Sequence, residues 1–246
     1  MLHNVSRSRS GRRAGRLTAI VAAATAAAIA LAGCTSARDV SSSPAATPVA
    51  GGTLTVAVAL DALPSGIFAT LDRNFPWIES VFEPLVRLDP ETRELEPVLA
   101  TDVEVASDGM SAVVTLREGV TFQNGAPFNA DTAKFSIEKS IDPTAGNNLA
   151  FVGRAFEEIS VDSDTQLTIR FAKELGDSFL DYLTQTEMVD PTSYDGIADG
   201  SQVVGTGPFA FGDWRPGAGF TLTKFADYWD VDKVYLRIGP SKELQQ

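Results

Sequence analysis

Between residues 102 and 141 the hydrophobic pattern changes period once, and that change marks the best-defined part of the chain. Val103 and Val105 alternate with acidic residues, Ser107-Asp108-Gly109 supplies a turn, and Val114 and Leu116 continue on a return strand. That pattern predicts a hairpin. Glu118-Gly119 turns the chain again, Val120-Thr121-Phe122 is expected as a short strand, and Asn124-Gly125 is a strong turn pair. Ala130, Ala133, Ile137 and Ile141 then fall on one helical face. Asn129 stands where an N-cap belongs, with Asp131 in the positive first turn.

Weaker patterns organise the rest. Residues 53–58 alternate small or polar with apolar side chains and read as the first strand of the folded part. Residues 61–75 carry Pro64 and Gly66 and read as a loop; a helix is expected from Trp77 until Pro84 disturbs it. Residues 85–88 lead into an Asp89-Pro90 turn, and residues 95–99 return. After a loop at 142–148, Glu158-Ile159-Ser160-Val161 and Leu167-Thr168-Ile169-Arg170-Phe171 read as strands joined by a polar turn. A short helix is expected over 178–183, and Val189-Asp190-Pro191 ends an extended segment. Gly205-Thr206-Gly207-Pro208 reads as a corner needing positive φ. A hairpin over 209–224 and a last strand over 234–238 follow. The fold class is α/β with mixed α+β character, mixed sheets with helices inserted between strands.

The first 33 residues stand outside that core. Arg7, Arg9, Arg12, Arg13 and Arg16 precede an Ala-rich apolar run over 17–31 that is short for a membrane span. Leu31-Ala32-Gly33-Cys34 follows and resembles the lipobox of a bacterial lipoprotein signal, with Cys34 as the lipidated residue. Arg12-Arg13 raises twin-arginine export, but its surroundings suit Sec export better. The expected organisation is a signal peptide over 1–33, a lipidated Ser/Ala/Thr/Pro-rich tether over 34–50, and one folded unit over 51–246. Removing the five signal arginines from 20 basic residues leaves 15 against 32 acidic ones, a net charge of −17. Such a surface repels nucleic acid and anionic headgroups, so membrane attachment is expected through lipid, at about 0.8 kcal/mol per buried methylene.

Charge and composition also exclude chemistry. His3 is the only histidine and Cys34 the only cysteine. Histidine-based nucleophile systems, histidine-ligated zinc and a disulfide framework are thereby excluded from residues 35–246. Gly205-Thr206-Gly207 is too short for a phosphate loop, and Pro208 removes an amide donor. Glu157-Glu158 and Asp162/Asp164 sit beside turns and read as solvated faces, without the glycine and distal glutamate of a calcium loop. No catalytic residue, metal site or cofactor is expected.

Four blocks carry a family resemblance. They are Val81-Phe82-Glu83-Pro84-Leu85-Val86 with Leu95-Glu96-Pro97-Val98-Leu99-Ala100; Ser107-Asp108-Gly109 with Leu116-Arg117-Glu118-Gly119-Val120-Thr121-Phe122-Gln123-Asn124-Gly125; Phe128-Asn129-Ala130-Asp131 to Phe135-Ser136; and Gly205-Thr206-Gly207-Pro208-Phe209 with Tyr228-Trp229. In this order, over residues 51–238, the chain resembles the extracellular solute-binding proteins of family 5, the peptide, dipeptide and nickel binders of ABC importers. The resemblance implies a type II periplasmic-binding-protein-like fold, here lobe I only. It also implies no enzymatic activity. The expected partners are a peptide or other small solute, ABC permease subunits with their cytoplasmic ATPase, and the outer face of the cytoplasmic membrane through the lipid; a monomer is expected.

Most matched residues are structural in that family, with Phe122, Phe135 and Trp229 expected in the core. The implied ligand-facing residues lie in loops between the blocks: Leu71, Phe75, Trp77, Leu149, Phe151, Glu187 and Met188. Trp77 is the leading candidate, since an aromatic plate suits a peptide backbone or apolar side chain. Two departures stand out: Phe225-Ala226 precede Asp227-Tyr228-Trp229 where an asparagine is usual, and family members are far longer. The expectation is half a cleft, the second lobe being missing. The alternative is a truncated surface lipoprotein that binds no solute; a secreted carboxylate-dependent hydrolase has only composition in its favour.

Overall fold

A four-stranded antiparallel sheet organises the folded part, in the order β3-β4-β6-β5. Its strands are β3 (Ala100–Val105), β4 (Ser111–Leu116), β5 (Phe156–Ser163) and β6 (Gln166–Phe171). The computed structural model describes residues 51–57, 61–68, 75–89, 91–143, 149–231, 235–237 and 243–245, without the side chains of 75, 76, 177, 235–237 and 243–245. The chain divides into two units, Met1–Ala50 and Gly51–Gln246, and the described residues lie in the second. Cys34 and Leu71 fall outside the described residues.

The period-two pattern explains the sheet. Ala112, Val114 and Leu116 of β4 are buried, as are Leu167, Ile169 and Phe171 of β6, while the positions between them are more exposed. Register brings these inward sets together, with Ala112 opposite Ile169 and Val114 opposite Leu167. The two edge strands each carry a bulge or irregularity and acidic side chains, features that discourage pairing with another chain.

Helix α2 (Ala130–Ser140) covers the inward face and packs on β5 and β6; α1 is Phe75–Val81. Its start is a reciprocal cap: Asn129 Oδ1 accepts from Thr132 N at 3.1 Å, and Thr132 Oγ1 accepts from Asn129 N at 3.0 Å. Such a cap stabilises a helix by about 1 kcal/mol. Ala130, Ala133 and Ile137 are fully buried beneath it, and Ile141 packs partly buried. α3 (Ala150–Gly153) follows before β5, and α4 (Asp177–Thr184) adds Phe179, Tyr182 and Leu183 to the same core. The Tyr182 hydroxyl lies 2.5 Å from Ser140 Oγ, and burial pushes the phenol up to about 12.

A second core gathers Trp77, Ile78 and Val81 of α1 with Phe82, Val189, Ile197 and Val203. α5 (Tyr194–Ile197) supplies part of it, and a hairpin of β7 (Phe209–Arg215) and β8 (Gly219–Lys224) lays Phe211, Trp214, Phe220 and Leu222 against it. Asp61 holds the turn of that hairpin, accepting from Gly217 N at 2.6 Å and Trp214 Nε1 at 3.4 Å. The Gly217 bond is the main cause holding its carboxyl below the usual range. Smaller ladders pair β1 (Val86–Leu88) with β2 (Leu95–Pro97) and β9 (Tyr235–Arg237) with β10 (Glu243–Gln245). The α/β class of mixed α+β character holds, with several sheets and every ladder among the described residues antiparallel.

Three local expectations need correction. Residues 53–57 form no strand: Leu54 and Val56 are exposed, and alternation without a neighbouring ladder stabilises nothing. The strand expected over 120–122 shrinks to a single bridge between Thr121 and Pro127, because the Asn124-Gly125 turn closes it at once. The helix expected from Trp77 starts two residues earlier, at Phe75, and ends at Val81, ahead of Pro84. One-turn helices at Ala150–Gly153 and Tyr194–Ile197 carry too short a period to be read in advance.

Candidate functional site

The blocks that mark the sequence converge on one junction beside the end of α1. Gln123 is its keystone. Gln123 Nε2 donates to the carbonyls of Val81 (3.2 Å), Gly207 (3.0 Å) and Phe209 (2.9 Å), while its Oε1 accepts from Gly205 N at 3.1 Å. Gln123 N donates to Gly205 O, and Gly207 N to Val81 O, both at 2.9 Å. A single half-buried side-chain amide thus ties together carbonyls of three buried residues, Val81, Gly207 and Phe209.

The glycines of this corner have a different reason from the one expected. Neither Gly205 nor Gly207 has positive φ. A Cβ on Gly205 would stand 2.0 Å from Val81 O, and one on Gly207 2.7 Å from Ser80 O. Close backbone approach to α1, not turn conformation, demands glycine here.

Glu83 sits at the same junction and is 1% exposed. Its Oε1 accepts from Tyr228 Oη at 2.7 Å and its Oε2 from Trp229 Nε1 at 2.9 Å. Burial pushes the carboxyl above its ordinary value; these two donors, the neighbouring Thr206 hydroxyl and the Arg87 charge act the other way. Burial and then the carboxylate raise the Tyr228 phenol. The Arg117 guanidinium lies 4.5 Å from the centre of the Trp229 ring, and Arg117 Nε donates to Val98 O at 2.8 Å. Sequence reasoning did not single out Gln123 or Glu83. The signal was present in Glu83, a lone carboxylate inside the apolar run 81–86, which folding must pair or neutralise.

The candidate ligand-facing residues fall in different settings. Trp77 is fully buried, its ring 5.1 Å from Phe211 and 6.1 Å from Phe82. Glu187 and Met188 adjoin the junction: Glu187 bridges Pro84 in antiparallel fashion, and Met188 N donates to Glu83 O at 3.0 Å. Met188 is fully buried and Glu187 nearly so. Leu149 is buried in the sheet core, whereas Phe151 is 69% exposed on α3. Phe75 opens α1, its side chain outside the description, and Leu71 is not described. Phe122 is fully buried, while Phe135 and Trp229 pack partly buried against the cores. Among the described residues, no group of three or more His, Cys, Asp or Glu could hold a metal ion, and no helix is long and apolar enough to cross a membrane.

Comparison with known proteins places this geometry. The family model described as bacterial extracellular solute-binding proteins, family 5 Middle, matches residues 94–238. The glutathione-binding protein GsiB of Shigella flexneri is 31% identical over 156 residues, covering 61% of this chain and 30% of the relative. The dipeptide-binding protein DppE of Bacillus subtilis is 26% identical over 185 residues, covering 66% and 34%. The matched stretch therefore spans about a third of these relatives' length. Among solved structures, the nickel ABC transporter protein from Bacillus halodurans is 28% identical with a TM-score of 0.54, covering 70% of this chain and 34% of that one. The fold is that of a type II periplasmic binding protein, about a third of it being represented.

Proposed function

The chain belongs to family 5 of the bacterial extracellular solute-binding proteins, and on that premise we propose that it captures peptides outside the cytoplasm for an ABC importer. In this reading it acts by binding and hands its solute to permease subunits driven by a cytoplasmic ATPase. It performs no covalent chemistry. The observation that carries the reading is the family match over residues 94–238. The peptide assignment draws support from relatives named for glutathione and dipeptides. Attachment to the outer face of the cytoplasmic membrane through a diacylglyceryl group on Cys34 belongs to the same proposal, motivated by Leu31-Ala32-Gly33-Cys34 behind an arginine-rich, apolar leader.

Solute would lie against loops between the buried blocks, with contact in a complete cleft completed by closure of a second lobe. Among the candidates with described side chains, Phe151 is the exposed one and thus the first to test as a direct contact. Trp77, Leu149, Glu187 and Met188 would shape the cleft wall from behind.

Thermal unfolding of the full-length protein with dipeptides, longer peptides, glutathione, a nickel–histidine chelate and an oligosaccharide tests this. A peptide at a hundredfold excess over its Kd stabilises by about 2.7 kcal/mol. A shift with the chelate or sugar alone would reassign the solute. No shift with any member would favour the lipoprotein that binds nothing.

A further inference from the structure

Glu83 is held in a way that a packing residue does not need. A buried carboxylate is costly unless paired, and here both oxygens are used on two consecutive residues of one segment, Tyr228 and Trp229. The donors reach Glu83 from 145 and 146 residues away in sequence, across the boundary between the end of α1 and the chain that follows β8. That segment's other described contacts include a bond from Phe225 N to Pro208 O at 2.8 Å, Tyr228 packing with Phe209, and Trp229 packing against the sheet core, while Val231 is 72% exposed. Behind Trp229 stands Arg117, itself tied to Val98 O, so the indole is gripped at its N–H and on its face. The charged and titratable groups facing the clasp are Arg87, Arg117, Tyr228 and Asp230.

We propose that Glu83 is a positioning residue whose carboxyl clasps Tyr228 and Trp229, fixing the direction in which the chain leaves the sheet body after β8. Its functional consequence, a fixed root for a hinge between two lobes, rests on the proposed solute-binding reading; the clasp itself does not. Hydrogen-bond chemistry separates the clasp from simple core filling. Trp229 Nε1–H can only donate, whereas the Tyr228 hydroxyl can donate or accept. Glutamine at position 83 can therefore keep both bonds, its oxygen taking the indole and its amide donating to the phenol. Alanine keeps neither.

The test is proton exchange by NMR on the 15N-labelled full chain without solute, so its outcome does not depend on whether peptide binds. The Trp229 indole signal is assigned by its loss in Trp229→Phe. In Glu83→Ala that indole proton is expected to exchange about tenfold faster or more, the factor for losing a charge-assisted hydrogen bond. The amides of Val114 and Ile169 in the central strands keep their rates, and Glu83→Gln retains indole protection. Unchanged protection in Glu83→Ala would overturn the proposal. So would acceleration of indole and central-strand amides together, or loss in Glu83→Gln equal to that in Glu83→Ala. If Glu83→Ala does not fold, Tyr228→Phe decides: Phe225 amide exchange is expected to rise while that of Val114 does not, and equal rates in wild type and variant would overturn the clasp.

Discussion

Gln123 and Gly205, 82 residues apart, hold each other twice: Gln123 N donates to Gly205 O at 2.9 Å, and Gly205 N donates to Gln123 Oε1 at 3.1 Å. The pair fixes the corner before β7 against the end of α1 closely enough to leave no room for a side chain. Gly205→Ala would drive a methyl group against Val81 O, which Gly207 N and Gln123 Nε2 hold in place. It is expected to cost about 3 kcal/mol or more, the upper end of overpacking effects. Gly119→Ala is the control. Its φ of +77° is unfavourable for alanine but nothing lies within 4 Å, so about 1–2 kcal/mol is expected. Urea unfolding of both variants checks the order, and equal costs would remove the close-approach explanation.

Glu83 predicts a pH dependence with a definite sign. Burial raises its folded value above the ordinary 4.5. The folded state therefore holds the proton more tightly than the unfolded chain. Stability contributed by this group is fully present below about pH 4.5 and is lost as pH rises through the raised folded value. Glu83→Gln removes that loss without removing the clasp. The difference in unfolding free energy between Glu83→Gln and wild type should grow in favour of the variant as pH rises from 4 toward neutrality. A difference independent of pH would show that the carboxyl does not titrate abnormally.

Tyr182 makes a simpler case. Its phenol is fully buried and sits 2.5 Å from Ser140 Oγ, with burial pushing its titration up to about 12. Ultraviolet titration should therefore show one tyrosine fewer still neutral at pH 11 in Tyr182→Phe than in wild type, where Tyr228 is held back as well. That variant removes the Tyr182–Ser140 hydrogen bond while the Ser140 hydroxyl still donates to Ile137 O, so a loss of about 1 kcal/mol is expected.

These residues also show what could be read without coordinates. The Asn129 cap, the Asp108-Gly109 turn and the inward faces of β4 and β6 were legible because their causes are local, a few residues apart. The reason for Gly205 was not, since its partner Val81 is remote and glycine in a Gly-Thr-Gly corner ordinarily signals positive φ. Glu83 is a lone carboxylate in the apolar run 81–86, but the donors that explain it lie 145 and 146 residues away. Trp77 opening a helix fits a cleft wall and a core equally well until Phe82 and Phe211 are found around it.

Anchoring through Cys34 is tested by fractionation. Wild-type protein expressed in a bacterial host should sediment with membranes, and intact mass should show a processed N-terminus at Cys34 bearing acyl chains. Cys34→Ala should abolish both the processing and the sedimentation, because two acyl chains are what make such attachment firm. Membrane recovery unchanged by Cys34→Ala would remove the lipid from the proposal while leaving solute capture untouched.

Trp77 and Phe151 separate packing from contact. Trp77 is fully enclosed by α1, Phe82 and the β7–β8 hairpin, so Trp77→Ala leaves a large cavity and is expected to cost about 3–5 kcal/mol. Phe151 is 69% exposed, and Phe151→Ala should change stability by no more than about 0.5 kcal/mol. If Phe151 meets solute, the same variant weakens peptide binding about tenfold, equivalent to about 1.4 kcal/mol. Calorimetric titration of the most stabilising peptide, alongside urea unfolding, reads both effects on the same samples. Affinity unchanged in Phe151→Ala would strike it from the contact set. A peptide-binding loss in Trp77→Ala is informative only under conditions where that variant remains folded, because unfolding alone would lower the apparent affinity. The decisive comparison is thus Phe151→Ala, in which binding and stability are expected to part company.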